Sequence, residues 1–106
     1  MYLIFAIVDN QETVCKVYSQ NTGIILSAIN DIVELQKAKL THADTMAGRI
    51  SFKVSMYAYM WEFNFTVKAV NGTDGQSRVC LKVTGNRTGK ENMIKQQMLL
   101  LDSMLG

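Results

Sequence analysis

Three consecutive segments between residues 49 and 84 alternate apolar and polar side chains, and an apolar-striped segment follows them. Ile50, Phe52, Val54 and Met56 fall on one side, with Ser51, Lys53 and Ser55 on the other. Trp61, Phe63, Phe65, Val67 and Ala69 alternate against Glu62, Asn64, Thr66 and Lys68. After the turn Asn71-Gly72-Thr73-Asp74-Gly75, Val79, Leu81 and Val83 alternate against Arg78, Lys82 and Thr84. A strand repeats its side-chain direction every two residues, so each segment builds one apolar and one wet face. An antiparallel sheet of this kind must cover its apolar face, and the striped segment is the obvious cover.

The striped segment follows Asn86-Arg87-Thr88-Gly89 and carries Ile94, Met98, Leu101 and Leu105, widened by Met93, Leu100 and Met104. That spacing predicts a helix buried along most of one side. Upstream, Glu12 to Tyr18 is rich in β-branched and aromatic residues and reads as a strand. Asp9-Asn10-Gln11 can join it as a hairpin to the continuously apolar Tyr2–Val8. The polar run Ser19 to Gly23 offers an N-cap to a helix striped by Ile25, Ala28, Ile29, Ile32, Val33 and Leu35. That helix is expected to fade around Lys39 to Thr41, before Gly48 starts the sheet. Strands cluster rather than alternate strictly with helices. The expected fold is therefore α+β: an antiparallel sheet of four to five strands with two helices packed on one face, in the order β(β)αβββα.

With 106 residues, no proline and no low-complexity tract, residues 1–106 read as one domain. The length and an apolar fraction of 48% support a core without disulfides or a structural metal. Net charge is only +2, and its carriers look scattered: Lys37 and Lys39 after the first helix, Arg87 and Lys90 in one loop. No basic stripe is evident along the chain, so no nucleic-acid partner is expected. Tyr2–Val8 is too short to span a bilayer and lacks a signal peptide's charged start. The expected setting is cytoplasmic, with no membrane span and with Cys15 and Cys80 as reduced thiols.

Chemically active groupings are sparse. Gly85-Asn86-Arg87-Thr88-Gly89-Lys90 sits where a phosphate loop would, but has three residues between its glycines and Glu91 after the lysine. A P-loop needs four residues there, and Ser or Thr next to the lysine, so a helix-entry loop is the better reading. His42 is the single histidine and is placed in a solvated loop, and the nine carboxylates are dispersed. Glu62 adjoins Trp61, yet strand alternation turns it to the solvent side. Three Asn-x-Ser/Thr sequences, at Asn64, Asn71 and Asn86, read as chance matches. No catalytic residue, metal site or cofactor is expected. What stands out is apolar and adaptable: Tyr57, Tyr59, Met60 and Trp61 near a strand junction, and Met93, Met98 and Met104 on the last helix.

Gly48-Arg49-Ile50, Trp61, Gly75-Gln76-Ser77-Arg78-Val79 and Gly89-Lys90-Glu91-Asn92 resemble a small family of bacterial domains of unknown function. In element order, residues 12–105 are similar to a shortened START-type helix-grip domain. That resemblance implies an antiparallel sheet closed over a long C-terminal helix to hold an apolar ligand, and implies no catalytic residues. The expected function is thus a non-catalytic binding domain for a small apolar or lipid-like ligand. Its expected lining is Phe52, Val54, Met56, Trp61, Phe63, Phe65, Met98 and Leu101. The alternative is a protein–protein or homo-oligomerisation module acting through the N-terminal edge strand.

Overall fold

The computed structural model describes residues 3–8, 11–72, 75–84 and 88–106, with side chains from residue 13 onward. Its elements run β1 (Leu3–Val8), β2 (Gln11–Tyr18), α1 (Thr22–Leu35), β3 (Lys39–Asp44), β4 (Arg49–Met56), β5 (Tyr59–Ala69), β6 (Ser77–Thr84) and α2 (Lys90–Leu105). Among the described residues one antiparallel sheet forms, in the order β1-β2-β6-β5-β4-β3. Both helices lie on one face of it, α1 over β4 and β5, α2 over β6 and β2, and they also pack on each other. This is the α+β architecture expected, enlarged to six strands.

The alternation dictates the core. Ile50, Phe52 and Val54 of β4, Trp61, Phe63, Phe65 and Val67 of β5, and Val79, Leu81 and Val83 of β6 are all buried under the helices. Phe52 is the centre: its ring lies 5.6 Å from Phe63 and 6.0 Å from Phe65. Against them α1 presents Ile25, Ala28, Ile29, Ile32 and Val33, and α2 presents Met93, Ile94, Met98 and Leu101. Fully burying each such side chain contributes roughly 1.5–3 kcal/mol, so this seam outweighs any single polar contact.

β3 is the extra strand. All six of its residues are exposed, so burial imposes no period on Lys39–Asp44 and no pattern betrays a strand. It exists because β4 pairs with it, with a bulge between Leu40 and His42. His42 therefore sits exposed on an edge strand rather than in a loop. α1 ends earlier than expected, at Leu35, which is exposed. The stop is a hydrogen-bonded cap: Lys37 takes φ 54°, its N–H donates to Glu34 O at 3.0 Å, and the Ala38 N–H donates to Val33 O at 2.9 Å. Glycine normally occupies that left-handed position, and a lysine there leaves no sequence signal. At the other end, the Asn21 side chain caps α1 by accepting from the Ile24 N–H at 2.9 Å.

Two turns fix the β4 register. Gly48 has φ 71°, and any Cβ there would overlap the Val67 carbonyl oxygen. Only glycine lets the chain come close enough for the Val67 N–H to donate to Gly48 O at 2.7 Å. β4 and β5 are joined by Tyr57 and Ala58 alone, both with positive φ. Tight hairpins favour that geometry, although Asn-Gly is its usual occupant.

β1 pairs along β2 from Leu3↔Lys16 to Val8↔Gln11, so the N-terminal segment joins this chain's own sheet at its edge. The expected turn at Asp9-Asn10 lies outside the described residues. So do Gly85 to Arg87 of the helix-entry loop.

The cysteines overturn expectation. β2 and β6 align so that Cys15 faces Cys80 directly, with Cα atoms 4.1 Å apart, and the two form a disulfide. Their separation of 65 residues hides this pairing, because register alone brings them together. Disulfides persist in oxidising compartments, so the bridge is at odds with the expected reduced cytoplasmic setting. Cross-linking a loop of this size restricts the unfolded chain by about 4 kcal/mol in the chain-entropy account. Reduction, or Cys15→Ser with Cys80→Ser, is expected to lower unfolding free energy by about 2–4 kcal/mol in urea titrations. Equal midpoints for reduced and oxidised protein would contradict the bridge.

Candidate functional site

Among the described residues, two side-chain contacts tie α2 to other elements, and a groove adjoins the second of them. The first contact is buried. Gln97 faces the core with no exposed surface, and its amide pairs reciprocally with Gln36 beyond α1. Gln36 Nε2 donates to Gln97 Oε1 at 2.8 Å, and Gln97 Nε2 donates to Gln36 Oε1 at 2.7 Å. A buried amide left unpaired is costly, so this pair sets the register between the helices. It also revises the expected stripe of α2. Gln97 occupies the buried face, whereas Met104, counted as apolar cover, is 37% exposed.

The second contact joins α2 to β2. Lys16 Nζ lies 2.8 and 2.7 Å from the two Asp102 carboxylate oxygens, and Tyr18 Oη donates to Asp102 Oδ1 at 2.7 Å. Lys16 Nζ also stands 5.2 Å from the centre of the Tyr18 ring. β2 places both residues, because Val14, Lys16 and Tyr18 alternate onto the helix side. Burial, and then the Asp102 carboxylate to which it donates, push the Tyr18 hydroxyl pKa far above its usual value. Tyr18 is thus a proton donor held in its neutral form, and the cluster acts as a positional clamp.

The groove, of about 250 Å³, runs between β2 and the outer flank of α2. Val14, Ile94, Met98 and Leu99 give it apolar walls, and Lys16, Asp102, Glu91 and Lys95 stand around it. The charges are matched: Lys16 with Asp102 at 2.7 Å, and Lys95 with Glu91 at 3.5 Å. A second opening, of about 280 Å³, lies beyond the clamp, between Ser19, Gln20 and Leu105.

The eight residues expected to line a site come together. Phe52, Val54, Trp61, Phe63, Phe65, Met98 and Leu101 are buried in one cluster, and Met56 packs half-buried against it. Trp61 is oriented by its indole N–H, which donates to Met56 O at 3.2 Å. Of the eight, Met98 reaches the groove. Sequence reasoning missed Val14, Ile94 and Leu99 as groove walls, and missed the clamp. Lys16 and Asp102 are 86 positions apart, and neither stands in a motif. The one available signal was Lys16 itself, a cation alternating with Val14 and Tyr18 on the side that must face the core.

Among the described residues no cluster of three His, Cys, Asp or Glu side chains could hold a metal ion. No described helix is long and apolar enough to cross a membrane. Asn64 of the first Asn-x-Thr sequence lies within β5, where its side-chain amide donates to Thr84 Oγ1 at 3.0 Å.

No family model and no curated protein matches the sequence. In fold the chain is similar to a conserved protein of unknown function, EF2215, from Enterococcus faecalis. The TM-score is 0.54 at 7% identity, and the match covers 96% of this chain and 74% of that one. At this identity the likeness shows a fold shared with a bacterial protein of unknown function.

The clamp makes a pH prediction. Below about pH 10 the Tyr18 hydroxyl is protonated in both folded and unfolded chains, and its hydrogen bond contributes fully. Above that pH the unfolded chain ionises Tyr18 while the folded one resists, so stability is lost as pH rises. Tyr18→Phe is expected to cost about 1–3 kcal/mol near neutrality, with the gap from wild type narrowing above about pH 10. A gap that stays constant to the most alkaline pH reached would refute this.

Proposed function

We propose that this chain is a non-catalytic binding domain that holds a small apolar molecule against its C-terminal helix, in the manner of a shortened helix-grip domain. The observation that carries this reading is the groove between β2 and α2. Its volume of about 250 Å³ is close to the lower end of ligand clefts, and its walls are Val14, Ile94, Met98 and Leu99. Leu99 is 65% exposed, an apolar side chain kept at an opening rather than in the core. Because the neighbouring charges are already paired, an uncharged molecule is favoured over an ion. Met98, which joins the groove to the buried core, would then act as its adaptable surface.

Native mass spectrometry of the purified protein is expected to show a co-purified small molecule, or uptake of a medium-chain alcohol such as decanol. On titration, methyl resonances of Val14, Ile94, Met98 and Leu99 should shift together, and Leu99→Glu should weaken binding at least tenfold without unfolding the domain. A protein free of any adduct, whose methyl spectrum ignores millimolar decanol, would sink the proposal.

A second reading rests on the two sheet edges. β3 is polar, carries Lys39 and is bulged, all of which discourage pairing. β1, with the sequence Leu-Ile-Phe-Ala-Ile-Val, has no such device and pairs with β2 at the end of the sheet. Unprotected apolar edges recruit other strands, so this edge is suited to joining two copies of the chain. Light scattering should then find a dimer that deletion of residues 1–10 converts to a monomer. A full-length monomer at high concentration would eliminate this reading.

A further inference from the structure

The helices cover one face of the sheet, and the other face collects six of the chain's eleven lysines and arginines. Lys39, Arg49, Lys53, Lys68, Arg78 and Lys82 are all exposed. In β4, β5 and β6 the exposed and half-buried positions alternate with the core residues, which turns them to the uncovered face. Lys39 joins them because it lies directly opposite Lys53, and opposed residues share a face. Among the described side chains, only Glu62 and Asp44 bring acid to these rows, opposite Lys53 and Arg49 respectively. A chain of net charge +2 is thus strongly polarised between its two sides. The sequence looks scattered because the cations recur at even spacings on separate strands, and stacking the strands gathers them.

Two features make the cluster more than a solvated surface. Lys68 lies directly across from Arg78, and Lys39 directly across from Lys53. Like charges in opposed positions destabilise a sheet, so the fold bears a repulsion that a polyanion would relieve. Lys82 stands between Thr13 and Asn64 with no acid opposite. Among the described residues, no carboxylate lies within ion-pair distance of any of the six cations.

We propose that this uncovered face binds double-stranded nucleic acid through its phosphates, independently of sequence. This goes beyond the apolar groove, which lies on the helix side. The filling between the cations decides the class of polyanion. Ser51, Asn64, Thr66 and Thr84 occupy the intervening rows, and such hydroxyls and amides also contact phosphate and sugar. No Phe, Tyr or Trp of the described side chains in these strands alternates onto this face, so stacking of single-stranded bases has no platform. Among the described side chains between these cations, the apolar group at the centre is the Cys15–Cys80 disulfide rather than a large anchor, which also sets the face apart from a typical protein interface or a membrane-inserting surface.

Fluorescence anisotropy with a short labelled duplex of arbitrary sequence tests this in the full chain. Binding is expected at about 50 mM salt and should weaken by about 10²–10³-fold at about 200 mM, as for four or five neutralised phosphates. Lys68→Gln with Arg78→Gln and Lys82→Gln should lose most of the affinity and flatten the salt slope by about 3. Lys37→Gln, at the end of α1, should change affinity less than twofold. Independently, Lys68→Gln alone should raise the melting temperature at low salt, and duplex should raise that of the wild type. The proposal is overturned if the wild type ignores duplex at low salt, if the triple variant binds as well as wild type, or if anionic vesicles or polyglutamate bind and duplex does not.

Discussion

Burial of the Phe52, Phe63 and Phe65 stack under two helices is the interaction on which the rest of this structure depends. These rings lie at the middle of the sheet, on the adjacent strands β4 and β5. A sheet that is apolar on one side has no stable existence until that side is covered. α1 meets the requirement over β4 and β5, and α2 over β6 and β2. The remaining features adjust this arrangement. Gly48 brings the β4 entry against β5, and the cap at Lys37 turns α1 back in time to form β3.

Apolar packing is non-directional, so it leaves the axial position of α2 under-determined. Polar contacts settle it. The Gln36–Gln97 pair has a single satisfied geometry and allows one register between the helices. The Lys16–Asp102–Tyr18 cluster ties the C-terminal half of α2 to β2. Since Asp102 must reach both Lys16 and Tyr18, the helix flank stands over β2 with Val14 and Met98 facing a shared groove. The clamp and the groove are thus consequences of one placement.

The two faces of the sheet divide the chemistry. The helix side holds the aromatic core, the matched ion pairs and the apolar groove. The uncovered side holds hydroxyls, amides, the disulfide and a surplus of cations. The same strands carry both faces, because successive side chains point to opposite sides. Whatever each side binds, their surfaces are chemically distinct and physically separate.

The strands β4, β5 and β6, the two helices and nearly all of the core were legible in the sequence, because period-2 and period-3.6 patterns follow directly from burial on one side. The outward alternation of Lys53, Lys68, Arg78 and Lys82 is also local, but their gathering on one face is not, and along the chain these cations look scattered. What the patterns lacked was the third dimension. β3 has no buried side and hence no period, and Lys37 takes a left-handed conformation that its residue type does not announce. The Cys15–Cys80 bridge, the Lys16–Asp102 clamp and the opposed Lys68–Arg78 pair each depend on strand register or helix placement across a long stretch of chain. By itself the sequence determined which residues must be inside, because water imposes that locally on every segment. Only the tertiary structure decided which polar residues meet, because register is a property of the assembled sheet and not of any one strand.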